Sequence, residues 1–271
     1  MAAPQAFGKL LSEWRRLRGK SQLDLALTAE VSPRHVSFVE TGRSKPTRAM
    51  VMTLASALNV PLREQNSLLL AAGFAPVYLE TPLGAEELEP ARRAIELILR
   101  HHEPFPAVVM SRHWDLVRVN DAARAFFAYL LDGRSPVTSP TNVLRQIFHP
   151  LGLRPRIANW EAVAAALVQR VHREAVGAYA DEKLTSLLEE VLAYAGVPAR
   201  LRAFDAGVAP TPLVPVVFVK DRQTFRYFST VTTIGTAQDV TLQELRVESF
   251  FPEDEATAEL ARRMVSDTSS G

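Results

Sequence analysis

Residues 21–43, SQLDLALTAEVSPRHVSFVETGR, decide the fold of the N-terminal part of the chain. Leu25, Ala26 and Ala29 fall on one helical face, Val31 sits in the following turn, and Val36 and Val39 carry the apolar stripe into a second short helix. Ser32 is a good N-cap, and Pro33 follows at the first helical position, where its missing N–H and fixed φ cost nothing. The second helix therefore starts at Ser32. Gly42 stands where a C′ glycine belongs and Pro46 blocks continuation, so the helix ends about Thr41.

The flanks repeat the periodicity. Phe7, Leu10, Leu11, Trp14 and Leu17 form an apolar stripe before this stretch, and Val51, Leu54, Ala55 and Leu58 form another after it. Pro61 opens a fifth helix that Gly73 closes. Residues 5–75 resemble the phage repressor/Cro (XRE) type of helix-turn-helix domain, a five-helix bundle that usually binds operator DNA as a dimer. The alternative is an αα-hairpin in an ordinary helical protein, and charge argues against it. Residues 1–75 hold ten Lys/Arg against five Asp/Glu, whereas residues 76–271 hold twenty-one against twenty-five, so the chain's net +1 conceals a basic N-terminus. Phosphate neutralisation dominates DNA affinity, and such asymmetry points the basic part toward nucleic acid.

The resemblance assigns roles residue by residue. Gln22 matches a glutamine that anchors a phosphate and braces a base-contacting side chain. Pro33, Arg34 and Phe38 occupy the helix positions that face base edges. Arg34 suits guanine O6/N7 and Phe38 suits thymine methyls, with a core role for Phe38 as an equal alternative. His35, Ser37, Arg43, Ser44 and Lys45 lie on or just beyond the recognition helix, and Ser37, Arg43, Ser44 and Lys45 read as backbone contacts. Arg15, Arg16, Arg18 and Lys20 read equally well as a solvated helix end. One departure stands out: the turn position that the family usually fills with glycine is Glu30 here. A left-handed conformation there would cost on the order of 1 kcal/mol.

At 271 residues and 47% hydrophobic content the chain can build two cores. Cysteine is absent, which removes disulfides, zinc–thiolate sites and thiol nucleophiles. No apolar run reaches the ~18 residues of a membrane span, and no leader pattern is evident, so a cytoplasmic, nucleoid-associated protein is expected. Residues 76–90 read as a partly tethered linker with prolines and an acidic run, residues 91–255 as a second domain, and residues 256–271 as a tail, weakly helical and then disordered from Ser266.

In the second domain a helix runs from Ala91 to a stop at Pro104, followed by two short strands at Ala107–Ser111 and Asp115–Val119. Three helices come next, the first capped by Asn120, the second by Asn159 and the third marked by Leu184, Leu187, Leu188, Val191 and Leu192. Three strands follow, at Leu213–Lys220, Thr224–Ile234 and Thr241–Phe250, the last alternating Leu245/Val247 against Glu244/Arg246/Glu248. Two strands, helices, then three strands is the order of a PAS-like domain, an antiparallel five-stranded sheet with helices on one face. The fold class expected is thus α+β, an all-α bundle followed by a PAS-like domain.

HWDLVRVNDAA at 113–123, NVLRQIFHPLGLRP at 142–155, IANWEAVA at 157–164 and FSTVTTIGTAQDVTLQELRVESFFPEDEAT at 228–257 resemble the MmyB-like ligand-binding domain. Together the two resemblances imply a bacterial transcription regulator, homodimeric on a double-stranded operator, with a small apolar effector; a fatty acid is the ligand suggested for a relative. Trp114, Phe126, Phe127, Leu130, Phe148, Trp160 and Phe228 are candidates to line an apolar cavity, and Asn120, His149, Arg156 and Asn159 to hold a polar head, Arg156 by a forked pair with a carboxylate. Core packing competes for each aromatic, and N-capping for Asn120 and Asn159. A filled core serving only dimerisation or protein docking is the other reading of this domain. No phosphate loop, nucleophile elbow or metal-ligand spacing of the six histidines occurs, so neither an enzyme nor a metal site is expected, and no cofactor besides the apolar ligand.

Overall fold

The computed structural model of the protein describes residues 3–134, 141–177, 181–202, 213–235 and 237–268. Five helices open the chain: α1 (Ala3–Leu17), α2 (Gln22–Thr28), α3 (Pro33–Glu40), α4 (Arg48–Ala57) and α5 (Leu62–Ala71). The side chains of Ser21, Ser32 and Thr47 accept from the N–H groups of Asp24, His35 and Met50, satisfying otherwise orphaned donors at the starts of α2, α3 and α4. The apolar stripes meet in one core that includes Phe7, Leu11, Trp14, Leu25, Val36, Val39, Leu54 and Leu68. Each such side chain, fully withdrawn from water, contributes ~1.5–3 kcal/mol.

The second part contains α6 (Glu89–His101), β1 (Ala107–Met110), β2 (Leu116–Val119), α7 (Asp121–Leu130), α8 (Val143–Phe148), α9 (Trp160–Gly177), α10 (Glu182–Leu192), β3 (Val216–Lys220), β4 (Gln223–Thr232), α11 (Val240–Glu244), β5 (Arg246–Pro252) and α12 (Glu255–Thr268). The strands form one antiparallel sheet in the order β2-β1-β5-β4-β3, the PAS-like arrangement. β5 is the centre of that sheet. Val108 pairs with Glu248 on one side of it and Ser229 with Phe250 on the other. Val108, Met110, Phe218, Phe225, Tyr227 and Phe250 reach a core shared with α7, α9 and α10. All four residues of β1 are buried, so that strand is covered on both faces rather than one.

Several segments differ from the sequence reading. It has no helix at α8, which Asn142 caps. Residues 241–244, expected as strand, lie in the short helix α11, and β5 begins only at Arg246, because Asp239 accepts from the Leu242 N–H and starts a helical turn. The tail is helical to Thr268, and residues 269–271 lie outside the described residues. At the start of the linker, which the sequence reads as partly tethered, Asn66 Oδ1 accepts from the N–H groups of Val77 and Tyr78, and its amide donates to Tyr78 O.

By compactness the chain divides into Met1–Leu83 with Gly235–Gln243, and Gly84–Ile234 with Glu244–Gly271. The first unit is thus completed by a segment from between β4 and β5. Gln243 Oε1 accepts from Leu62 N at 2.7 Å, Val240 N donates to Leu79 O at 2.8 Å, and Asp239 Oδ2 accepts from Thr81 N at 3.0 Å. Pro61, the N-cap of α5, offers no side-chain acceptor, and Gln243 supplies one.

Candidate nucleic-acid interface and effector cavity

In the first unit α3 is anchored from behind. Val36 and Val39 are buried, and the Glu40 carboxylate accepts from Arg15 Nε (2.6 Å), Arg15 Nη2 (2.9 Å) and Gln22 Nε2 (2.8 Å). The hydrogen bonds and charge of Glu40 raise the Arg15 pKa above its ordinary value, outweighing the effect of burial. Gly8 lets α1 approach the end of α3: a Cβ there would stand 2.3 Å from Glu40 O. Arg18 donates to Leu58 O and Asn59 O, and Lys20 to Ala57 O, so both satisfy the carbonyl end of α4 instead of being a purely solvated helix end. The turn before α3 keeps the left-handed conformation, with Glu30 at φ 54°.

The residues assigned to DNA from sequence lie on and around α3. Pro33, Arg34, Arg43 and Lys45 are exposed, and His35, Ser37, Phe38, Ser44 and Gln22 are half-buried. Phe38 stays out of the core cluster and is instead flanked by the guanidinium carbons of Arg34 at 5.1 Å and Arg43 at 5.9 Å from its ring centroid. Two cations over one ring make a stacked group on an otherwise short helix. Arg43 and Ser44 are positioned by their own N–H groups, which donate to Phe38 O past the left-handed Gly42. Gln22 donates to Glu40, which orients its amide from the protein side.

In the second unit a cavity of about 150 Å³ lies in the core between sheet and helices. Its walls include Trp114, Phe127, Leu131, Val163, Phe218 and Phe250, and its polar lining is Thr141, Gln146 and Glu248. Of the eleven side chains nominated from sequence, Trp114 and Phe127 line it. The other nine do not, and each has a structural occupation. Phe126 is a core hub, edge-on to Phe218, Phe225 and Tyr227 at 5.1–5.5 Å. Leu130 is fully buried, and Phe148 packs edge-on against Trp160, whose Nε1 donates to Ile147 O. Phe228 stacks on Phe251 on the opposite face of the sheet. His149 packs on Tyr194, and Arg156 donates to Leu130 O and Asp132 rather than to the cavity. Asn120 caps α7 and binds Ala107 N and Phe105 O; Asn159 ties the start of α9 to Pro215 O and Val217 N.

Glu248 is a cavity residue that the sequence reading did not nominate. It stands on the central strand β5 and lines the cavity, and its carboxylate accepts from Ser229 Oγ at 2.6 Å. Beside the cavity residue Trp114, His113 and Arg112 converge on Asp181, the N-cap of α10. Burial pushes the His113 pKa down and Asp181 offsets this only in part. Burial pushes the Asp181 carboxyl up, but the Leu184 N–H, Arg112 and His113 outweigh it, and its net shift is downward.

The comparisons follow this division. The family model of the MmyB-like transcription regulator ligand binding domain matches residues 91–264, more than half of the chain. The chain belongs to the MmyB-like transcription regulators. A helix-turn-helix model matches residues 11–65, the part that presents α2 and α3. No curated protein matches the chain. This MmyB-like regulator is therefore a DNA-binding transcription regulator with a ligand-binding domain, and neither family is enzymatic. Among the described residues no helix is long and apolar enough to cross a membrane, and no group of three or more potential metal ligands occurs.

Proposed function

We propose that the regulator binds a pseudopalindromic operator as a homodimer and that a small apolar effector in the second unit changes its operator affinity. Arg34 binds guanine edges, Pro33 and Phe38 pack on thymine methyls, and His35, Ser37, Arg43, Ser44, Lys45 and Gln22 hold the phosphate backbone. Half-sites one helical turn apart, about 34 Å, fit a two-fold dimer. The observation that carries the effector reading is the cavity: its lining is overwhelmingly apolar, and its ~150 Å³ equals the volume of an engineered apolar cavity known to hold benzene. A fatty acid belongs to this class by its alkyl chain.

The experiment is selection of operators from random DNA by the full chain, followed by affinity measurement before and after removal of co-purified apolar molecules identified by native mass spectrometry. A retained molecule and an affinity changed severalfold on its removal are expected. An empty protein, with operator affinity indifferent to every apolar compound that binds it, refutes the effector role and leaves a dimerisation or docking domain.

A further inference from the structure

Helix α6 carries two apolar stripes, and the fold of its own unit uses one. Ile95 and Leu99 are buried. Pro90, Ala94, Leu97 and Ile98 recur at i, i+4, i+7 and i+8 on another face and are all exposed, Leu97 by 47% and Ile98 by 38%. Single exposed apolar side chains are ordinary on a protein surface. A contiguous stripe of them along one helix marks a face that meets another surface.

Charge identifies that surface. At 100° per residue one edge of the stripe holds Glu89, Arg93, Glu96 and Arg100, all exposed, in the order minus, plus, minus, plus. Among the described residues Glu89, Arg93 and Arg100 make no ion pair, and Glu96 lies 3.4 Å from the exposed Arg118. The opposite edge, Ala91 and Ile95, is turned into the protein. A two-fold axis across the stripe sets a second α6 antiparallel to the first and lays charged edge on charged edge. Reversed, the order reads plus, minus, plus, minus, so Glu89 stands opposite the partner's Arg100 and Arg93 opposite the partner's Glu96, each pair occurring twice. A parallel mate would set the charged edge against Ala91 and lose all four pairs. The antiparallel arrangement also opposes the two helix dipoles.

Resting on the homodimer reading above, we infer that α6 is the dimer interface: two copies of the chain join through antiparallel α6 helices, sealed by Leu97 and Ile98 and keyed by the charges of Glu89, Arg93, Glu96 and Arg100. A helix of 13 residues is about 20 Å long. One such pair is small beside the ~1,200–2,000 Å² of stable complexes, so the dimer dissociates on dilution.

The test is sedimentation velocity of the full chain over a dilution series, alone and on a selected operator with two half-sites. The wild type is expected to show a monomer–dimer equilibrium and cooperative filling of the half-sites. Leu97→Glu abolishes both. Arg93→Glu weakens the dimer ~5- to 30-fold, two exposed pairs having become two repulsive contacts, and Arg93→Glu/Glu96→Arg, which inverts each pair, recovers most of the loss. Because the sequence contains no cysteine, Ala94→Cys places a single thiol per chain near the two-fold axis, where a short bismaleimide joins two copies; adding Leu97→Glu removes the cross-link. Dimerisation indifferent to Leu97→Glu and Arg93→Glu, or an inverted pair as weak as the single variant, overturns the α6 interface while the homodimer reading stands. A wild type that stays monomeric and fills the half-sites independently, whatever else binds α6, overturns both.

Discussion

Replacing Glu40 by alanine should cost the first unit ~3–5 kcal/mol, the usual penalty for breaking a buried ion pair from one side. The side chains of Arg15 and Glu40 are only 11% and 5% exposed, so truncation leaves a guanidinium with little water to turn to. It also strips Gln22 Nε2 of its acceptor. Against a typical domain stability of ~5–15 kcal/mol this is a large fraction, and at ~4–8 °C per kcal/mol it lowers the unit's melting point by at least about 12 °C. Because two units need not unfold together, native-state hydrogen exchange at the Val36 and Val39 amides, both inside α3, gives the cleanest measurement. The companion variant Arg15→Met/Glu40→Leu, which removes both charges, should recover most of the loss, since the pair is costly to break and of little net worth compared with apolar packing. A loss below ~1 kcal/mol in Glu40→Ala, or a double variant as unstable as the single one, would refute the view that this pair fixes the recognition helix to the bundle.

Four further outcomes follow from the same structure. Arg34→Ala should weaken a selected operator by ~1–3 kcal/mol and relax one base position, whereas Lys45→Ala should weaken all sequences alike and lower the salt slope by about 1, as filter or fluorescence titrations at several salt concentrations would show. Glu30→Gly should stabilise the first unit by ~0.5–1 kcal/mol, the left-handed strain of about 1–2 kcal/mol less glycine's unfolded-state entropy; a loss in urea titration contradicts that. Tyr227→Phe should be neutral or stabilise by ~1 kcal/mol, since the hydroxyl is buried without a partner and burial alone pushes its pKa up. His113 has a folded pKa below its ordinary 6.5, so the unfolded chain takes up protons first, and stability is full above that value and lost as pH falls through the folded one. Asp181, also shifted down, adds a second loss below about 3.8. In His113→Asn the first loss should vanish from a pH series of melting curves and the second remain.

How much of this was legible depended on the range of the forces involved. Ser32–Pro33, Gly42 and the periodic valines define α3 by local rules, so the residues read as its start and approximate end, Ser32 and Thr41, are its two caps. Phe38 could not be placed from sequence, since an aromatic at that spacing fits either face; the two flanking arginines resolve it. Arg15 and Glu40 are 25 positions apart, and nothing local couples them. Gly8 offered a signal, a glycine inside an apolar helical stripe, which has meaning only once α3 is known to cross there. In the second unit the strand order was visible in composition, but the cavity was not. Its walls come from many elements, and the most conspicuous aromatics, Phe126, Phe148 and Trp160, are used to fill the core around it. Of the polar residues nominated for a ligand head, Asn120 and Asn159 take the capping and tying roles that the sequence offered as the alternative, and Arg156 binds Leu130 O and Asp132.

The stretch between β4 and β5 bears on how this protein can be cut, recombined and inherited. The polypeptide passes between its two compact units three times, at 83/84, 234/235 and 243/244, so the DNA-binding half is not a detachable cassette. A fragment ending at Leu83 would lack the glutamine that caps α5 and the partners of Leu79 and Thr81. Swapping such a half onto another sensor requires carrying along nine residues encoded more than 150 positions downstream. Insertions between β4 and β5, which would be harmless in an ordinary hairpin loop, here alter the DNA-binding half of the chain.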